Sequence, residues 1–562
     1  LILREPSSSV LQSGIKHQQS GFIVPALAYV AITLVVASPL VDFRRLHDAS
    51  YEGDARLLVW TLAWDAHALL TGTALFDANI YYPEARPLSY AEHHIGLGVF
   101  GVPLYAATAN PVLTYWILWL LAFPLNALAM HALAWRITRD RVAALAAGCV
   151  YAFCFFRMHH AHGHIQLLWT WMLPLVPLAL DEWLERPSLS RAFLLTALVM
   201  AAALTSGYLA VFVALLGAAS AAWLIPGRHL RADHVWQALL GGALAALTIG
   251  WFARPYLALT PGPVQEAAAN AADLRSYLVP ATNTVFGQLL ERFTPLRTRW
   301  IWGEQTLYAG ISVLTLGLAG AVFLRQYVRE RRAARMAAAV LAAGVIGLAL
   351  SFGPASTSLS PFDLLSRVPG LGLIRAPARF ALLVMLAASL LAGIGALGLC
   401  QRFATAGRFA VAILMALFFV ESFVVAFPAG KPRSFDVPDV YRRLAMQPPG
   451  PVVSLPTYRG TPEAFRESDY LLFSTAHWFP IVNGFGRQEP PDHGSRLDVL
   501  ATFPSPESLV LMQRLGVRYV VLHTRRASGL KARAESAAGQ RTGGNAVRLL
   551  HSADGDYLFE VR

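Results

Sequence analysis

The sequence predicts an α-helical polytopic membrane protein of about 11 spans plus a re-entrant or short segment, with a C-terminal α/β soluble domain. Three observations carry that prediction. Apolar residues fill 56% of 562 positions and charged residues only 14%, where a soluble chain carries about 25%. The apolar residues gather into nearly uncharged runs of about 17–25, the length that crosses a hydrocarbon core. After Phe427-Pro428 the pattern changes to short β-like runs and one well-bounded helix.

The runs place spans near 21–41, 112–134, 142–157, 164–181, 191–205, 208–225, 234–253, 306–325, 335–351, 377–400 and 408–428. The stretch 191–225 is too long for one span, and Thr205-Ser206-Gly207-Tyr208 offers a turn. The run 95–109 is short and interrupted by Pro103. A full crossing there would invert every later loop, so it reads as re-entrant or interfacial. The most basic short loop, RQYVRERRAARM at 325–336, is assigned to the cytoplasm. Alternation then puts Arg402/Arg408, Arg228/Arg231, Arg186/Arg191 and Arg136/Arg139/Arg141 on the same side. The polar first twenty residues lack a cleavable signal pattern and read as a cytoplasmic tail before a first span that directs insertion. A transmembrane unit 1–429 thus carries long outer loops at 42–94, 254–305 and 352–376, beside an extracytoplasmic domain 430–562. The expected location is a bacterial inner (plasma) membrane.

The net charge of +12 comes from basic residues scattered between apolar runs. That pattern sets orientation in a lipid bilayer and argues against a nucleic-acid partner. Cys149, Cys154 and Cys400 all precede residue 430, so no disulfide framework supports the C-terminal part. There, β-like runs fall at 451–456, 480–485, 517–523 and 557–561. A helix over 505–516 opens with Ser505-Pro506-Glu507 and closes at Gly516. Two roles fit this part: a structural lid, or a surface that binds sugar or acceptor.

The first outer loop holds the richest chemistry. Glu52-Gly53-Asp54 sets two carboxylates two residues apart directly after the first span, before an amphipathic stretch with Leu58, Trp60 and Trp64. A carboxylate at the membrane surface can act as general base for an acceptor hydroxyl, or hold a divalent cation against a phosphate. Ordinary solvated loop acids would look the same. Glu92-His93-His94 closes the loop. Arg157, His159, His160, His162 and His164 lie at the outer end of the span 142–157. The His160/His164 spacing suits zinc on a continuous helix, but Gly163 weakens that helix and no nearby carboxylate or cysteine completes a set. These side chains are expected to line a polar cavity, with Arg157 meeting a phosphate, or to serve a structural interface. Arg375 and Arg379, one turn apart at the entry of the span at 377, suit a phosphate clamp or headgroup anchoring. Trp300, Trp302 and Glu304 sit beside another span entry, as interface anchors or a sugar-stacking surface. No cofactor is demanded; a divalent cation is the one candidate.

The segments GDARLLVWTLAWDAHALL, FDANIYYP and YAEHHIGLG, with the long first outer loop and its acidic opening, resemble the GT-C superfamily of polytopic membrane glycosyltransferases. The likeness covers most of the membrane part. It implies a polyprenyl-phosphate-linked sugar donor and a glycan, lipid or protein acceptor on the extracytoplasmic face. It also implies a catalytic base at Asp54, with Glu52 completing an E-x-D pattern. A transporter or flippase for a lipid-linked glycan or solute is the competing class, and a non-catalytic envelope-assembly protein a third. Transporters place ionisable groups near mid-membrane and show internal repeats. Here the polar residues concentrate at the outer ends, which favours the enzyme.

Overall fold

The computed structural model describes residues 8–260, 264–280, 283–293, 303–355, 360–425, 431–460, 463–527, 529–539 and 547–562. Among them, six helices are long and apolar enough to cross a membrane: Pro111–Thr138, Arg141–His160, Gly207–Leu224, Ala232–Ala258, Arg331–Ser351 and Pro377–Ser422. Phe22–Ala37, Ile95–Thr108, Leu189–Thr205 and Ile311–Tyr327 are shorter apolar helices. The chain is a multi-pass membrane protein.

Each interruption of the helices has a local cause. Ser206 is extended, and its hydroxyl accepts from the Tyr208 amide at 3.3 Å to cap the helix Gly207–Leu224. The turn therefore falls inside the expected Thr205–Tyr208 segment. The stretch 377–422 is two helices, broken where Ala404 takes φ 45°. A Cβ on Gly407 would lie 2.0 Å from the Leu399 carbonyl oxygen, so the fold-back requires glycine there. The helix Ile95–Thr108 has 14 residues, about 21 Å at the usual rise, short of a hydrocarbon core of about 30 Å.

The expected continuous span 164–181 is corrected. The structure has a short helix Ile165–Leu168, then Trp169-Thr170-Trp171, then a helix Met172–Glu185. Pro174 lacks an amide donor and its ring would meet the carbonyl of Thr170, which prevents one continuous helix.

Three of the basic loops meet at one point. The buried Asp181 carboxylate accepts from Arg136 at 3.2 Å, Arg228 at 2.7 Å and Arg332 at 2.8 Å. Arginines far apart in sequence are thus brought to one end of the helical bundle.

Strand β1 (Ala49–Ser50) pairs antiparallel with β2 (Arg433–Ser434), tying the first outer loop to the C-terminal part. Strands β3 (Val452–Leu455), β4 (Tyr519–His523), β5 (Val547–Ala553) and β6 (Asp556–Val561) form a sheet of order β3-β4-β6-β5. Only the β3–β4 pair is parallel. The helix Pro506–Leu515 is capped by Ser505, which accepts from the Ser508 amide, and ends at Gly516 with φ 70°. The β-like run 480–485 is not a strand of this sheet, having a single bridge between Ile481 and Val452. Its backbone joins the first outer loop instead: Tyr81 and Tyr82 donate to Asn483 and Ile481, each at 3.0 Å. One continuous apolar core then runs from the membrane helices to Val452, Tyr470 and Tyr519.

Candidate active site

Asp54 opens the helix Asp54–Thr71. The preceding Gly53 takes φ 68°, and its missing side chain leaves room for the Phe465 ring, to which a Cβ would approach within 3.1 Å. A positive φ and a crowded site both favour glycine here. On the other side, the turn after His160 packs against Asp54 at Gly163, where an added Cβ would lie 3.5 Å from the Asp54 Cβ, an ordinary contact.

A row of polar side chains runs inward from that point. His164 Nε2 lies 3.8 Å from Asp54 Oδ2, beyond hydrogen-bond length. Arg379 Nη2 donates to the same Nε2 at 3.2 Å, so that nitrogen is an acceptor and the inferred tautomer carries its proton on Nδ1. His164 therefore has no proton to offer Asp54. The Arg379 fork grips Glu304, with Nε to Oε2 at 2.9 Å and Nη2 to Oε1 at 2.5 Å. Its guanidinium stacks 4.8 Å over the Tyr208 ring, and the Tyr208 hydroxyl accepts from the Ala376 amide at 2.9 Å. His160 Nε2 sits 3.8 Å from Glu304 Oε2.

The two carboxylates differ in kind. Asp54 keeps 43% of its side chain accessible, and no donor among the described residues holds its oxygens. Burial on its protein side pushes its carboxyl above the ordinary carboxylate value, against the downward pull of Arg375, Arg379 and His162. Glu304 is desolvated too, which would raise it, but the Arg379 guanidinium and the nearby His160 hold it well below the ordinary range. Glu304 is a fixed counter-ion; the Asp54 carboxylate is held by no donor among the described residues.

Several expected partners are placed elsewhere. The Glu52 carboxylate does not join Asp54; it pairs with Arg433 at 3.1 Å on the exposed surface. Arg157 does not join it either, being fully buried. It donates to the carbonyls of Tyr151, Leu167 and Leu168 at 2.5, 3.4 and 3.3 Å, the last two bared by the helix break at Trp169. Glu92 accepts from Ser206 Oγ at 2.6 Å and the Gly207 amide at 2.9 Å, while His94 bonds the Thr205 carbonyl at 2.8 Å. They fasten the turn that starts the Tyr208 helix. Burial opposes ionisation of Glu92, but His94, Ser206 and Gly207 together hold its carboxyl below the ordinary value. His93 is 2.5 Å from Asp65 in a wholly buried pair.

His159, His160, His162 and His164 do cluster, with His160 and His164 rings 5.2 Å apart. The helix ends at His160, so the pair is not a one-turn helical chelate. Among the described residues, no three His, Cys, Asp or Glu side chains converge to hold a metal ion. Arg375 is partly exposed and makes a 3.3 Å contact with Glu266. Trp300 and Trp302 lie outside the described residues. Sequence reasoning missed Tyr208 and Glu266, the partners of the two arginines, because no local pattern marks them.

The sequence profile of a family described as a domain of unknown function, DUF6311, matches residues 77–423. The chain belongs to the DUF6311 family. Asp54 precedes the matched region of this DUF6311 protein. No curated protein matches it in sequence. Its architecture is similar to that of the arabinofuranosyltransferase AftD from Mycobacteria, with a TM-score of 0.54 and 14% identity. The match covers 95% of this chain and 40% of that one, so the DUF6311 protein spans well under half of that transferase's length. ArnT from Cupriavidus metallidurans, in the apo state, aligns over 97% of this chain and 98% of its own, with a TM-score of 0.47 and 12% identity. The fold is that of the GT-C glycosyltransferases.

Proposed function

We propose that this DUF6311 protein is a membrane glycosyltransferase that moves a sugar from a polyprenyl-phosphate-linked donor to a glycan, lipid or protein acceptor. The reaction takes place on the extracytoplasmic face of an inner membrane, with the N-terminus cytoplasmic and the C-terminal segment outside. The observation that carries this reading is Asp54: a partly accessible carboxylate held by no donor among the described residues, raised in pKa by burial and acted on by the charges of Arg375 and Arg379.

In the proposed reaction the acceptor hydroxyl oxygen attacks the anomeric carbon. The bond from that carbon to the phosphate oxygen breaks, and the hydroxyl proton passes to Asp54. Polyprenyl phosphate leaves with the bonding electron pair, its charge met by Arg375, whose guanidinium keeps accessible surface. Arg379 acts differently from a clamp residue. Its fork is occupied by Glu304 and His164, so it positions His164 beside Asp54.

The pH dependence of transfer tests this reading. Protonated Asp54 cannot accept the hydroxyl proton, so turnover falls as pH drops through its pKa. Because that pKa is raised, the acid limb of kcat should have its midpoint above the ordinary aspartate value of 3.8. The measurement uses bilayer-reconstituted protein, with radiolabelled polyprenyl-phosphate sugars as donors. A midpoint at or below the ordinary value, or no transfer from any such donor, would count against the assignment.

A further inference from the structure

The segment Gly484-Phe485-Gly486-Arg487 belongs to the C-terminal part yet packs deep against the outer loops. A Cβ on Gly484 would lie 2.2 Å from the Tyr81 ring, and one on Gly486 would lie 2.8 Å from the Tyr90 carbonyl oxygen. The Gln488 amide then donates to that Tyr90 carbonyl at 3.1 Å, and the Gln488 side chain donates to the Thr260 carbonyl at 2.7 Å. Two glycines and a flanking glutamine therefore fix where Arg487 stands. It lines one pocket together with Arg375, Val264, Phe362 and Ile374.

Three carboxylates near that pocket are engaged. Glu266 contacts Arg375, and Glu92 caps the turn at Ser206-Gly207. Asp363 also lines the pocket, but it accepts from the Ser360 amide at 2.8 Å within its own short helix. Among the described residues, Arg487 has no ion pair or hydrogen bond. Two guanidiniums thus face one cavity with one carboxylate contact between them, and burial and the Arg375 charge both hold Arg487 below its usual pKa. Apolar side chains share the lining: Val264, which is exposed, with Ala267, Phe362 and Ile374. Positive charge without a partner among the described residues, set beside apolar lining side chains, suits an anion carried on a hydrocarbon chain.

We propose that Arg487 and Arg375 together clamp the phosphate of a lipid-linked substrate, so that the C-terminal segment supplies half of the donor phosphate site. This rests on the transferase reading above. The clamp expected between Arg375 and Arg379 is thereby reassigned, with its second arm arriving from more than 100 residues further along the chain.

Binding of a polyprenyl monophosphate to the full chain in nanodiscs, read by native mass spectrometry, tests the proposal. Arg487→Ala and Arg375→Ala should each raise Kd about tenfold or more, the usual effect of losing a charge-assisted hydrogen bond. Arg487→Lys should recover part of the affinity by keeping the charge without the fork, and it stands in if the alanine variant unfolds. Arg442→Ala, exposed on the helix Asp439–Ala445 of the C-terminal part, should change nothing. The matching polyprenol without phosphate should bind wild type and Arg487→Ala equally. Phosphatidylglycerol and inorganic phosphate should compete poorly. Wild-type binding that both Arg487 variants leave intact overturns the clamp but leaves the transferase reading in place. Equal binding of phosphatidylglycerol overturns the donor assignment, and absence of wild-type binding overturns both.

Discussion

Asp54→Asn should lower turnover by about 10²–10⁴-fold, the usual contribution of a general base, while the protein still folds and inserts. Asparagine keeps the size and much of the hydrogen-bonding capacity but cannot take a proton. The structure adds a stability control. A carboxyl whose folded pKa is raised contributes stability that is whole below its ordinary value and lost as pH rises through the raised one. Above that raised value the partly buried Asp54 carboxylate is therefore a liability, and the asparagine variant should melt no lower than wild type there. Glu52→Gln should have a far smaller effect, because Glu52 pairs with Arg433 on the surface. Equal damage from both substitutions would point to a shared cation site, which added chelator would expose. Wild-type turnover by Asp54→Asn would move the base elsewhere, with Asp65 and His159 to His164 as the next candidates.

Glu304→Gln should destabilise the fold by about 3–5 kcal/mol, the cost of leaving a buried charge without its partner. Arg379 is 4% exposed and Glu304 15%, so solvent can replace little of what the pair supplies. Burial works against Glu304, but Arg379 more than compensates and depresses its carboxyl. Such a group contributes stability that is present above its ordinary value of 4.5 and is lost as pH falls through the depressed one. Thermal unfolding of the reconstituted protein measures the loss. The double variant Glu304→Gln/Arg379→Met should regain much of it, because no uncompensated charge remains. A double variant as unstable as the single one would show that packing, not charge, is what the pair supplies.

Much of the helical layout was legible because it follows from local chemistry. Apolar runs, the Ser206 turn and the Ser505 and Gly516 caps each act within a few residues of themselves. The Asp554-Gly555 turn, with φ 53° and 84°, closes the β5–β6 hairpin and was an available signal that went unused. Partners far apart in sequence were not legible. Nothing near Arg157 announces that the helix break at Trp169 will bare two carbonyls for it. Nothing near Arg379 announces Glu304, and the fork they share removes Arg379 from the expected phosphate clamp. The glycines of the 484–487 segment could have been flagged as points of close backbone approach, but what they approach is set only by the folded outer loop. Asp54 could be singled out because its position after the first span is a local property; its lack of a donor among the described residues is a tertiary one.

The central claim is chemical transfer, and the decisive measurement separates it from transport. Proteoliposomes would carry a polyprenyl-phosphate sugar labelled separately in the sugar and the lipid, with an acceptor present on the outer side only. The account predicts that wild-type protein parts the two labels, releasing free polyprenyl phosphate as the sugar reaches the acceptor, and that Asp54→Asn leaves the donor whole. Both labels crossing the bilayer together, at equal rates in wild type and Asp54→Asn, would contradict it.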